Sequence, residues 1–231
     1  MRMGLGILVG AMALIAGAAS GQTIGPGNDE SSATLLGMTM KVATYRPTSC
    51  PPRLVLASFH GLTRNGDINR DATRPLAGKL CALVVSPEFD DVRFPTHKYQ
   101  RGGVVLRGVF IPPGSRTVDI VAPLIAWARV SIGQSDLPYA LIGHSAGGQF
   151  LARVAAYTAP DAVHIVIANP STRVLPSTKE AALTALASCP IRSTRCGPIS
   201  PCRSLSFSAP MIPARAIFPW SRRRSRKAPT A

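Results

Sequence analysis

One serine, Ser145, stands where a reactive side chain is easily placed. It lies in a Gly-x-Ser-x-Gly pattern, between a short apolar run and a segment with helical spacing, and the pattern reads Gly143-His144-Ser145-Ala146-Gly147. A serine at a sharp strand-to-helix turn projects over the end of a sheet, and Gly143 and Gly147 permit close backbone approach. The first N–H groups of the following helix favour a developing negative charge there. The pattern therefore predicts a serine nucleophile, with a purely structural glycine-rich turn as the alternative.

A second candidate position follows another apolar run, where residues 53–59 end at His60-Gly61. Runs that are continuously apolar rather than alternating are typical of parallel strands that are covered on both faces. In such sheets, ligands bind beyond the carboxyl ends of the strands. Because His60-Gly61 and Ser145 both follow strand ends, the sequence predicts that they meet at one edge of the sheet.

The elements that would position these residues alternate between apolar runs and helical patterns, which predicts an α/β fold with a mainly parallel sheet. The predicted strands are 38–44, 53–59, 82–87, 139–142 and 163–168. The first predicted helix is 71–81, with Thr73 as its N-cap and Pro75 in its first turn. The second is 120–128, with Thr117 as a cap, and the third ends near Tyr157. Pro123 is expected to kink the second helix or delay its start. A long polar connection is predicted over 87–116.

The start of the chain has the pattern of a secretory signal, which we place at 1–20. Arg2 precedes an apolar run over 4–17, and a small-residue cleavage site follows. The run is short for a membrane span, and an uncleaved anchor is the alternative. We therefore expect a secreted or periplasmic protein without a stable membrane span. A flexible lead-in is predicted over 21–37 and a folded domain over 38–180.

The cysteines are five, an odd number for an exported chain, and they are Cys50, Cys81, Cys189, Cys196 and Cys202. At least one would be free or paired between molecules. Cys50 and Cys81 could form a disulfide, and two buried thiols are the alternative. The spacing fits no zinc pattern, so neither a metal nor another cofactor is expected.

Three stretches of the sequence connect these candidates to a known family. They are 56–65 continued by Arg70-Asp71, then 93–95 with Tyr99, and 139–150. Together they resemble the exported esterase and poly(3-hydroxybutyrate)-depolymerase-like branch of the α/β-hydrolases, over about residues 45–175. The resemblance implies the α/β-hydrolase fold and Ser145 as nucleophile, with oxyanion donors from the backbone N–H groups of Leu62 and Ala146. Attack on an ester by a serine needs two such N–H groups about 3 Å from the forming oxyanion.

The same mechanism needs a general base beside the serine and a carboxylate that orients it. In this fold the acid and then the histidine follow the serine along the chain. After Ser145 the sequence has only His164, and its acids there are Asp161 and Glu180. His164 is expected near the start of a strand, about 13 Å from the catalytic edge, where a structural role is favoured.

The other histidines are weaker candidates for the base. His144 adjoins the nucleophile, but the turn is expected to direct the two side chains apart. His60 belongs to the loop of the oxyanion donors and His97 to a polar loop, and either could act as the base in place of a histidine that follows the serine. Glu180 or Asn169 could approach the site. The catalytic histidine and the catalytic acid therefore stay unassigned.

Residues 181–231 differ sharply from the rest of the chain. They contain nine basic residues, seven prolines and eight serines, but no Asp, Glu or His. This composition predicts a basic, disordered tail, so the sheet is expected to lack its last strands. A change of reading frame in a G+C-rich gene would produce such a tail in one step.

The function predicted from these observations is hydrolysis of a carboxylic ester, small or polymeric, through an acyl-enzyme. A peptidase of the same fold is not separated from an esterase. The alternative is an inactive binding module whose basic cluster, Arg222-Arg223-Arg224 with Arg226-Lys227, contacts an anionic surface through charge alone. No aromatic ladder accompanies these charges, so specific binding of nucleic acid is not expected.

Overall fold

The computed structural model describes residues 23–174, and its centre is a six-stranded sheet. The strands follow the spatial order β1-β2-β4-β3-β7-β8. They are β1 (Gly27–Leu35), β2 (Met38–Arg46), β3 (Leu54–Phe59), β4 (Ala82–Pro87), β7 (Tyr139–His144) and β8 (His164–Ala168). The four strands from β4 to β8 are mutually parallel, whereas β1 and β2 are antiparallel to their neighbours. The predicted mainly parallel α/β fold is confirmed.

Helices cover both faces of the sheet. The helix α1 (Gly66–Leu80) packs its Ala77 against one face, where Leu56, Val84 and Ile142 are buried. The helices α2 (Val121–Ser131) and α3 (Ala146–Thr158) bury Leu124 and Phe150, among others, against the opposite face. Successive side chains of a strand point to opposite faces, so the continuously apolar strands supply both cores.

The first strand corrects one sequence prediction. Residues 21–37 were expected to form a flexible lead-in, but β1 spans most of that stretch and pairs with β2 from Gly27–Arg46 to Leu35–Met38. The last part of β1 buries Ser31, Ala33 and Leu35 and exposes the residues between them. This period of two is the strand signal, which the many small and polar residues of the stretch conceal.

The helix α1 begins earlier than predicted, at Gly66, and Asn65 rather than Thr73 is its N-cap. The Asn65 side chain accepts a hydrogen bond from the Ile68 N–H at 3.5 Å. Pro75 therefore lies inside the helix, where it removes one backbone hydrogen bond, and not in its first turn. A Cβ at Gly66 would lie 2.9 Å from the Ser86 carbonyl oxygen, so a glycine allows the helix to start close to β4.

The connection 87–116 contains a short hairpin, β5 (Val105–Leu106) and β6 (Val109–Phe110). A 3-10 turn (Thr117–Ile120) then leads directly into α2, which is the delayed start expected from Pro123. Asp119, rather than Thr117, satisfies the N–H groups here, because its carboxylate accepts from Gly114 at 2.7 Å and from Arg116 at 3.2 Å.

Cys50 and Cys81 form a disulfide, which settles the alternative left open by the sequence. No helix within residues 23–174 is long and apolar enough to span a membrane. The predicted signal at 1–20 and the predicted tail at 181–231 lie outside the described residues.

Candidate active site

Ser145 occupies a sharp turn between β7 and α3. Its backbone has φ 55° and ψ −111°, a conformation that non-glycine residues rarely adopt. Its N–H donates to the Ala168 carbonyl oxygen at 2.9 Å, and its own carbonyl oxygen accepts from the Gln149 N–H at 2.9 Å. The turn is thus held both by the end of β8 and by the first hydrogen bond of α3.

Two glycines make this turn possible because backbone fills the space that a side chain would need. A Cβ at Gly143 would lie 2.6 Å from the Gly147 carbonyl oxygen. A Cβ at Gly147 would overlap the carbonyl oxygen of Phe59. The start of α3 is therefore pressed against the end of β3. This close approach is the reason for glycine at both positions that the sequence pattern singled out.

The chain that leaves β3 lies beside Ser145, and together they border a cleft of about 150 Å³. The lining residues are His60, Gly61, Leu62, Thr63, Asn65, Ile68, Asn69, Ala72, His144 and Ser145. Ser145 and Leu62 are therefore brought to one site, as the sequence predicts. Ala146 is fully buried as the first residue of α3. Whether the Leu62 and Ala146 N–H groups converge on one oxyanion stays a prediction.

His60 is held as a neutral, structural side chain. Its Nε2 accepts from the Phe89 N–H at 2.9 Å, so Nδ1 has the proton and lies 2.9 Å from the Gly61 carbonyl oxygen. The side chain is buried, and this burial lowers its pKa to about 4. Because both nitrogens already have partners, His60 has no nitrogen left to take a proton from Ser145.

The remaining histidines are placed differently from one another. His97 borders a separate, larger cleft of about 420 Å³, whose lining does not include Ser145. His164 is the first residue of β8, at the strand end opposite Ser145. His144 borders the same cleft as Ser145. That the turn directs their two side chains apart stays a prediction. Partial burial lowers the pKa of His144, and its Nε2 lies 3.4 Å from the Asn169 amide nitrogen.

No carboxylate borders the cleft within residues 23–174. Asp161 precedes β8 and therefore lies toward the opposite sheet edge, as the sequence predicts. Asn169 does approach the site, because β8 ends beside Ser145 and places its amide near His144. Glu180 lies outside the described residues. Within residues 23–174, no group of three His, Cys, Asp or Glu side chains is arranged so that it could hold a metal ion.

A buried polar network beneath the cleft was not anticipated from the sequence. Asn69 donates to Ser58 Oγ at 2.6 Å and more weakly to Ser86 Oγ at 3.3 Å. Thr73 Oγ1 lies 2.8 Å from Ser58 Oγ and donates to the Asn69 carbonyl oxygen at 2.8 Å. These bonds join α1 to β3 and β4, so they fix the helix that forms one wall of the cleft. The sequence does contain an indication of this network, because Ser58 and Ser86 are polar residues within otherwise apolar strands.

Comparison with solved structures places this arrangement in a family. The poly(aspartic acid) hydrolase-1 of Sphingomonas sp. KT-1 is 29% identical with a TM-score of 0.65, over 71% of this chain and 64% of that chain. LpqC, a poly(3-hydroxybutyrate) depolymerase of Bordetella parapertussis, is also 29% identical, with a TM-score of 0.61. That match covers 68% of this chain and 56% of LpqC. The chain belongs to the α/β-hydrolase superfamily.

This α/β-hydrolase matches no family model, and no curated protein matches it. Its likeness to the two structures covers less than two thirds of the length of either of them.

Proposed function

We propose that this α/β-hydrolase cleaves carboxylic esters through an acyl-enzyme at Ser145. The observation that supports this most is the strained backbone of Ser145, φ 55°, at a strand-to-helix turn that borders the same cleft as Leu62. Strain of this kind, at the end of a parallel strand, is typical of a functional position.

The reaction would proceed in two acyl-transfer steps. Ser145 Oγ forms a bond to the ester carbonyl carbon, its proton passes to a base, and the carbonyl electrons move to the oxygen. The backbone N–H groups of Leu62 and Ala146 would stabilise this oxyanion, a contribution of about 10²–10³-fold for one such donor. The oxyanion then re-forms the carbonyl, the bond to the alkoxy oxygen breaks, and the alcohol leaves with the proton from the base. Water attacks the acyl carbon in the same way, so that the acid is released and Ser145 Oγ regains a proton.

The base is the missing part of this scheme. His60 is engaged on both nitrogens, and His97 and His164 lie away from the cleft. His144 borders the cleft and is the remaining histidine among residues 23–174. No orienting carboxylate borders the cleft in the described part of the chain. We therefore propose that this chain lacks an efficient base and is far slower than a hydrolase with a complete triad. Loss of the base leaves only the contributions of oxyanion donors and binding.

Rescue by a diffusible base tests this proposal directly. Imidazole should accelerate release of nitrophenol from a short-chain nitrophenyl ester by the full chain, and the gain should vanish in Ser145→Ala. We expect at least about a tenfold gain over the Ser145→Ala background, since a positioned base supplies about 10²–10⁴-fold and a free one less. Ser115→Ala, an exposed serine of another cleft, should behave as the unchanged protein does.

Two outcomes would overturn the proposal. Equal imidazole-dependent rates in the unchanged chain and in Ser145→Ala would exclude Ser145 as the nucleophile. A fast, Ser145-dependent rate without imidazole would show that the chain supplies its own base, and His144 would then be the first histidine to replace because it borders the cleft.

The bond cleaved is proposed to be an ester, with an amide as the second candidate. Both similar structures are named for hydrolysis of a polymer, one of them poly(3-hydroxybutyrate), a polyester, and the other poly(aspartic acid), whose units are joined by amides. A nitrophenyl ester and the matching nitroanilide, assayed with imidazole, separate the two reactions. An anilide rate at least equal to the ester rate would favour the amide.

Export is proposed from the N-terminal pattern, and the Cys50–Cys81 disulfide supports it because such bonds persist in oxidising compartments. Recovery of the chain only from the cytoplasm, uncleaved and reduced, would contradict export.

The inactive binding module remains the alternative function. Ser145-independent binding to anionic vesicles, abolished by removal of residues 221–227 and accompanied by no rescue with imidazole, would support it instead.

A further inference from the structure

The short turn over residues 60–62 contacts a neighbouring segment, and the side chain of Leu62 does little to fix it. Leu62 is 62% exposed, so its side chain contributes little to fixing its backbone. An oxyanion donor, however, must be held to within about 0.5 Å of its productive position. Whatever orients the Leu62 N–H must therefore lie elsewhere.

Tyr99 supplies the first contact. Its ring is fully buried between Phe89 and Phe150, with ring centroids 4.5 Å and 5.4 Å away. Its hydroxyl donates to the His60 carbonyl oxygen at 2.7 Å. Burial raises the pKa of Tyr99, which keeps the hydroxyl protonated and able to donate. One buried hydrogen bond thus fixes the peptide group that immediately precedes Gly61.

Arg64 closes the other end of the turn. Its backbone has φ 56°, and its N–H donates to the Gly61 carbonyl oxygen at 3.3 Å. The guanidinium donates to the Phe89 and Phe94 carbonyl oxygens, each at 2.9 Å, and lies 4.9 Å from the centre of the Tyr99 ring. Since His60 also accepts from Phe89, the segment 89–99 contacts the turn on both sides of Leu62.

We propose that Tyr99 and Arg64 are positioning residues that hold the Leu62 N–H in the place where it stabilises the oxyanion. Neither side chain borders the cleft, so both act through the 60–62 turn and not on the substrate. This inference rests on the proposed function, because it explains how the Leu62 N–H, a donor that ester hydrolysis requires, is held in place. The competing explanation is that the two residues only stabilise the core.

Tyr99→Phe separates these explanations because it removes only the hydroxyl. We expect kcat for the imidazole-rescued, Ser145-dependent reaction to fall by about tenfold with little change in KM, since the lost bond acts on the donor and not on binding. Arg64→Lys should behave similarly, because an ammonium group does not reproduce the fixed fork of the guanidinium. The matched control is Tyr139→Phe, a buried tyrosine at the start of β7, toward the opposite sheet edge.

Amide hydrogen exchange gives a readout that does not need activity. In Tyr99→Phe, exchange at residues 61–63 should accelerate by about two- to tenfold, the effect of one lost hydrogen bond, while exchange in α3 stays unchanged. Tyr139→Phe should leave 61–63 unchanged. Unaltered exchange at 61–63 in Tyr99→Phe would overturn the inference even if no rescue is seen. Faster exchange with an unaltered rescued kcat would also overturn it, by leaving Tyr99 a role in stability alone.

Discussion

The neutral His60 makes the stability of the fold depend on pH in a specific way. In the native state burial lowers its pKa from 6.5 to about 4, so between these values the unfolded chain binds a proton that the native chain does not. Stability from this residue is complete above about pH 6.5 and falls as the pH decreases toward 4. Protonation would also force Nε2 to present an N–H to the Phe89 N–H, where it now accepts.

The magnitude follows from the two pKa values. The gap between 6.5 and about 4 is equivalent to about 3 kcal/mol once the pH is below both. Of this, about 2 kcal/mol of the free energy of unfolding should disappear between pH 7 and about pH 4.5, by the same linkage. Burial raises the pKa values of Asp90 and Asp119, but hydrogen bonds and the charges of Arg93 and Arg116 outweigh it and lower both, which adds a background loss at still lower pH.

Urea unfolding at both pH values measures this loss, and His60→Gln isolates it. Glutamine offers an acceptor to the Phe89 N–H but does not titrate, and the two aspartates are common to both proteins. His60→Gln should be less stable at pH 7 yet lose about 2 kcal/mol less than the unchanged chain on acidification. His164→Gln, on the exposed start of β8, should keep the full loss. Equal losses in the unchanged chain and His60→Gln would refute a neutral, buried His60.

Two further predictions concern the backbone and the crosslink. Gly147→Ala should lower the free energy of unfolding by about 1–3 kcal/mol or more, because its Cβ would overlap the Phe59 carbonyl oxygen, whereas Gly78→Ala, in open space on α1, should raise it by about 0.5–1 kcal/mol. Equal effects of the two in chemical unfolding would contradict the close contact. Reduction of Cys50–Cys81, which closes a loop of sequence separation 31, should lower stability by about 3–4 kcal/mol, and unfolding with and without reductant measures it. An unchanged midpoint would show that the bond adds nothing.

Several features could be predicted from the sequence because they depend on local pattern alone. The apolar run before Ser145, the helical spacing after it and the glycines at 143 and 147 are all short-range signals, and the structure shows β7, the turn and α3 in that order. The continuously apolar strands likewise predicted a parallel sheet, because a strand that is buried on both faces has no polar side. The fold class followed from these patterns.

Boundaries and partners depended on contacts between distant residues, and these only the tertiary structure decided. The strand β1 was concealed by its composition, and α1 begins at Gly66, where the absence of a side chain leaves room for the Ser86 carbonyl oxygen of β4. His60 could have been read as a base or as part of a loop. The structural role of His60 was decided by Phe89, a residue 29 positions away, whose N–H donates a hydrogen bond to His60 Nε2. A sequence records which groups can form hydrogen bonds, but burial and a partner's position determine which of them are already used.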